Sequence, residues 1–85
     1  MVGIDKNEVK PIFVYPNPVN DNLKVRVNAS MIGSVYTMTD KTGRVLLTGK
    51  LTSEISNINV SSLSAGMYIL IIGEHNRQVF KIVKK

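Results

Sequence analysis

Apolar and polar residues alternate with a period of two along most of the chain, and Gly, Pro, Asn, Asp and Ser interrupt the rhythm at short intervals. Such alternation puts successive side chains on opposite faces of extended strands, and no stretch carries a convincing helical face. Residues 11–15 read as a short strand that Pro16-Asn17-Pro18 must stop, because neither proline offers a ladder N–H and each pushes its predecessor to extended geometry. The same block shields an edge from pairing with other chains. In residues 22–28, Leu23, Val25 and Val27 fall on a core face while Lys24 and Arg26 fall on a solvent face. Residues 34–39 place Tyr36 and Met38 inward and Thr37 and Thr39 outward.

Asp40-Lys41-Thr42-Gly43 closes a hairpin: the Asp side chain accepts a backbone N–H two residues on, and Gly43 supplies positive φ for a bulged turn. Residues 44–50 form the return strand. After an irregular stretch, 51–57, Ile58-Asn59-Val60 reads as a short strand, and residues 61–66 as a corner with Leu63 buried. Residues 67–72 are the most apolar strand and are expected at a sheet's centre. A turn at 73–76 leads into a closing strand over 77–84 with Phe80 and Ile82 inward. Leu63, Gly66 and Tyr68 stand at the spacing of a tyrosine corner, so the Tyr68 hydroxyl is expected to reach a main-chain group between Ser61 and Ala65. About seven short strands predict an all-β fold, an immunoglobulin-like antiparallel β-sandwich.

Composition sharpens this picture. Eighty-five residues make one domain, and a fold of that size hides only a little over ~60% of the surface its unfolded chain exposes. With 44% hydrophobic and 20% charged residues the chain has material for one core. There is no Cys to form a disulfide or thiolate metal site. The longest apolar run, 67–72, is far shorter than the ~20 residues of a membrane helix, and the N-terminus lacks a signal-peptide h-region. Residues 1–10 are expected to be an added start and a linker from an upstream parent, with the folded domain over 11–85. The net charge of +5 is concentrated late, at Arg77, Lys81, Lys84 and Lys85.

The candidate chemistry is sparse. His75, the sole histidine, has no second His or Cys to complete a metal site. Ser61, Ser62 and Ser64 have no base placed by motif and no strand-to-helix elbow. Neither Gly43 nor Gly66 precedes a helix start, which excludes a phosphate loop. The basic end lacks the aromatic interleaving or recognition helix of a nucleic-acid binder. Asn28-Ala29-Ser30 and Asn59-Val60-Ser61 match the N-glycosylation pattern by chance. The reading is of a non-enzyme with no cofactor, no metal and no nucleic-acid partner.

Four marks remain, in order: Tyr15-Pro16-Asn17-Pro18, Asp40-x-x-Gly43-Arg44, Leu63-x-x-Gly66-x-Tyr68, and Lys81-Ile82-Val83-Lys84. With these, the chain from about Val14 to Lys85 resembles the C-terminal sorting domain of the type IX, or Por, secretion system of Bacteroidota. The resemblance implies a tail module that is recognised in the periplasm by the outer-membrane translocon and its shuttle proteins, then delivered to the outer-membrane surface or the exterior. It also implies, for many family members, a sortase-like protease that cuts ahead of the domain and joins the passenger to anionic lipopolysaccharide. A cut is expected in residues 4–10, where flexible backbone fits a protease cleft.

Carried onto this sequence, the family's recognition determinants fall on Val79, Lys81, Ile82, Val83, Lys84 and Lys85. An extended basic strand suits that role, because it offers backbone groups for strand addition and charge to steer an acidic receptor. The rival reading is a carbohydrate-binding or adhesive β-sandwich of a surface protein. Sugar platforms use exposed flat aromatics, whereas Phe13, Tyr36, Tyr68 and Phe80 are expected in the core and Tyr15 alone is left free.

Overall fold

A computed structural model describes residues 12–74 and 77–85. The linker and cleavage expectations for residues 1–10, and the turn position of His75, lie outside those residues. Seven strands follow one another: β1 Phe13–Tyr15, β2 Asn22–Arg26, β3 Val35–Asp40, β4 Val45–Lys50, β5 Ile55–Asn59, β6 Gly66–Ile72 and β7 Gln78–Lys84. Among the described residues a short 3-10 turn, Ala29–Met31, interrupts them, begun by Asn28, whose side chain accepts from the Ser30 N–H. No helix among the described residues is long and apolar enough to cross a membrane.

The strands form a three-stranded sheet of order β1-β2-β5 and a four-stranded sheet of order β4-β3-β6-β7, with every neighbouring pair antiparallel. The chain leaves the second sheet after β4, adds β5 to the first, and returns as β6. That crossover is what builds an immunoglobulin-like sandwich rather than a meander. One inner face presents Leu23, Val25 and Ile58, and the other Met38, Leu70, Ile72 and Ile82; all are buried. Leu47, Leu63, Tyr68 and Phe80 pack against this core from its margins.

Alternation thus predicts the faces of β2, β3 and β7 correctly, the apolar β6 lies inside its sheet between β3 and β7 as expected, and four details differ. Phe13 is not in the core but 53% exposed. In β1 it is Val14 that packs inward, opposite Val25, so Phe13 and Tyr15 take the outer face, with the Arg26 guanidinium 6.0 Å above the Phe13 ring. β5 starts at Ile55, inside the stretch expected to be irregular, because β2 templates it along its whole length. Thr39 points outward as alternation requires yet is buried, lying in a central strand between Val45 and Ile69 beside a bulge at Met38/Thr39. Leu51 and Val19, both in loops, are fully buried core residues.

Candidate functional site

The closing strand β7 lies at an edge of the four-stranded sheet, and its free side is only partly free. Strand geometry sends the N–H and C=O of alternate residues away from β6, and here those residues are Val79, Lys81 and Val83. Asn17 meets two of the exposed groups with one side chain. Its Nδ2 donates to the Lys81 carbonyl at 3.0 Å, and its Oδ1 accepts from the Val83 N–H at 2.9 Å. An amide side chain has the donor and acceptor of a peptide unit, so Asn17 imitates one residue of a neighbouring strand.

Two residues on, the main chain continues the pairing. Val19 N–H donates to the Val83 carbonyl at 2.8 Å, and Lys85 N–H donates to the Val19 carbonyl at 2.9 Å, which makes a parallel bridge between Val19 and Lys84. The Val19 side chain is wholly buried in the core. Pro16 and Pro18, both preceded by cis peptide bonds, flank Asn17 and are exposed. Residues 17–19 therefore form a clasp over the second half of β7. Strand addition there is blocked while the clasp holds, which corrects the expectation of an open strand over residues 79–85. The edge groups still without a partner among the described residues are those of Val79 and the Lys81 N–H.

The two middle marks are turn and corner devices. Asp40 Oδ1 accepts from the Thr42 N–H at 2.9 Å, the Thr42 hydroxyl at 2.6 Å and the Arg44 N–H at 3.0 Å, while Oδ2 lies 3.5 Å from the Arg44 guanidinium. The Thr42 hydroxyl first, then the Arg44 N–H, hold the Asp40 carboxyl below its ordinary range. Gly43 completes the turn with φ of 94°. At the corner, the Tyr68 hydroxyl donates to the Ser64 carbonyl at 2.6 Å, inside the range expected from sequence, and fixes the loop that feeds β6.

Register brings these separated marks together. Asp40 faces Tyr68 across β3 and β6, Tyr68 faces Ile82 across β6 and β7, and Gly66 faces Lys84. The clasp grips the same end of β7. All four marks thus meet at one end of the four-stranded sheet, where Asp40, Lys41, Gly66, Met67 and Tyr68 also line a shallow depression.

Within the closing strand the residues divide by face. Ile82 is buried and Lys84 half-buried, whereas Val79, Lys81, Val83 and Lys85 are exposed. Pro16 and Pro18 fit the role of strand stops, but Asn17 and Val19 do more than sequence reasoning assigned to that block. The one available signal was an amide held between two prolines and followed at once by a β-branched apolar residue. No cluster of acidic, His or Cys side chains able to hold a metal occurs among the described residues.

A family model described as the secretion system C-terminal sorting domain matches residues 13–85. No curated protein and no solved structure matches the chain. The matched span runs from the first strand through the clasp, the turn and the corner to the closing strand, and the chain belongs to the type IX secretion C-terminal sorting domain family.

Proposed function

We propose that this domain is a non-catalytic export tag whose closing strand, held in shape by the clasp, is read by the type IX translocon and its shuttle proteins during passage through the periplasm. Family membership itself carries the coarser role: a C-terminal sorting signal for export across the outer membrane to the surface or the exterior. The observation that supports the finer reading is the convergence of four separated marks on one end of the four-stranded sheet, around β7. Convergence of this kind fixes the position of a short surface strip, which is what a receptor needs for recognition without chemistry. In the same reading, a sortase-like protease cuts in residues 4–10 and joins the passenger to anionic lipopolysaccharide.

The test fuses residues 4–85 behind a periplasmic reporter in a type IX-competent bacterium, with a translocon-deficient strain as control. Surface reporter in the first strain and its absence in the second are expected. Equal reporter in both strains ends the proposal. Reporter that reaches the surface uncut and free of lipopolysaccharide removes the cleavage and attachment step alone.

Exposure of Phe13 and Tyr15 on one outer face gives the sugar-binding reading a specific footing, since two aromatics two residues apart on a strand share a surface. Saturable glycan binding that a Phe13→Ala/Tyr15→Ala variant loses would favour it. Its absence leaves the tag reading alone.

A further inference from the structure

The two outer faces of the sandwich are built differently. On the three-stranded sheet the exposed Phe13, Tyr15 and Ile55 are divided by cations: Lys24 stands between Tyr15 and Asn57, and Arg26 lies between Phe13 and Ile55. The four-stranded sheet departs from this pattern. Its outward rows place Ile71 opposite Val79, Ile69 opposite Lys81 and Met67 opposite Val83. Val79 is 63%, Met67 47% and Val83 40% exposed, and Val45, outward on β4, is 57% exposed. A contiguous apolar strip of this kind on one sheet face marks an interaction surface.

Its charges have one sign. Lys81 rises from the middle of the strip and Lys50 from the rim of β4, and no outward position on the four strands is Asp or Glu. Asp40, at the end of β3, is engaged with Thr42 and Arg44 in its own turn. The Lys81 backbone is anchored by Asn17, so this cation has a fixed base. A second copy of the chain would bring lysines toward lysines. A complementary occupant is apolar and carries carboxylates.

Resting on the export-tag reading, we propose that the outer face of the four-stranded sheet, centred on Ile69, Ile71, Val79 and Lys81, is the docking surface for a protein of the export machinery that presents an apolar patch bordered by carboxylates. The face, rather than the free edge of β7, makes the contact, because the clasp already occupies the second half of that edge.

The test uses the reporter fusion with three changes: removal of residues 12–85, Lys50→Glu/Lys81→Glu on the proposed face, and Lys24→Glu/Arg26→Glu on the opposite face. Thermal melts of each purified variant monitor folding, and Lys81→Gln serves should the double reversal fail to fold. Surface reporter should fall roughly tenfold for Lys50→Glu/Lys81→Glu, several-fold for Lys81→Gln, and less than about twofold for Lys24→Glu/Arg26→Glu. If removal of residues 12–85 leaves export intact, the tag reading itself fails. If removal stops export while folded Lys50→Glu/Lys81→Glu and Lys81→Gln export normally, the docking face is wrong and the tag reading stands. Equal losses from charge reversal on both faces also overturn the face. Two further results replace the protein occupant: binding to phosphatidylglycerol vesicles that Lys81→Gln abolishes, or a dimer in sedimentation that Val79→Asp dissociates.

Discussion

The Asp40 turn and the Asn17 clasp solve the same problem at opposite ranges. In both, a short polar side chain satisfies backbone groups that no neighbouring strand reaches: Asp40 accepts N–H groups, and Asn17 accepts one N–H and donates to one carbonyl. Asp40 serves residues two and four positions ahead, whereas Asn17 serves residues 64 and 66 positions away. The local device needs little beyond its own sequence to form, since Asx turns assemble from neighbouring residues. The distant one has no meaning until both sheets exist. It also depends on Val19, whose burial pulls the segment down onto β7, whereas the Asp40 turn puts no side chain into the core. A turn of the first kind shapes a hairpin; a clasp of the second kind closes a domain.

Substitutions at the two devices should separate them. Val19→Ala removes two methyl groups from a fully buried site and is expected to cost about 2–3 kcal/mol, a fall of roughly 10–20 °C in melting temperature. A loss no larger than that of a surface valine would make the clasp an ornament. Asn17→Ala should cost about 1–2 kcal/mol through two lost hydrogen bonds. Its distinguishing sign is faster amide exchange at Val83, with exchange at Thr42 and Arg44 unchanged. Gly43→Ala should cost about 1 kcal/mol, seen as a lower denaturation midpoint at constant slope. Open space surrounds that position, so the cost is one of backbone conformation at φ +94° and not of packing.

The smallest effect is one of pH. Because the Asp40 carboxyl is held below its ordinary value when folded, its charge contributes fully above that ordinary value, and the contribution fades as pH falls through the lowered one. Asp40→Asn keeps an oxygen for the turn and drops the charge. Acid titration of its melting temperature should be flatter than that of the parent over this carboxylate window. An unchanged acid limb would mean that the turn's charge is idle.

Features that are local in sequence were legible there. Strand alternation, the Asp40 turn, the positive φ of Gly43 and the Tyr68 hydroxyl bond all follow from residues a few positions apart. What escaped depends on partners far along the chain. In β1, Ile12 and Val14 make one apolar row and Phe13 and Tyr15 another, so period two alone cannot choose which enters the core; pairing with β2 decides it. Leu51 and Val19 sit in loops, where no alternation marks them as core. Asn17 reads as part of a proline-bounded stop, and only the presence of Lys81 and Val83 alongside turns its amide into a surrogate strand. Of the four marks, each could be placed on a turn or strand from sequence, while their meeting at one end of a sheet required the register between β3, β6 and β7.

The clasp also sets an order of events. Contacts separated by more than sixty residues raise the contact order and slow the approach to the final fold. Residues 17–19 emerge early and residues 81–85 late when the chain is threaded vectorially from its N-terminal side. Until that late strand arrives, Val19 has no carbonyl to pair with and its apolar side chain has no finished cavity to enter. The last edge of the module therefore seals only once its closing strand is in place.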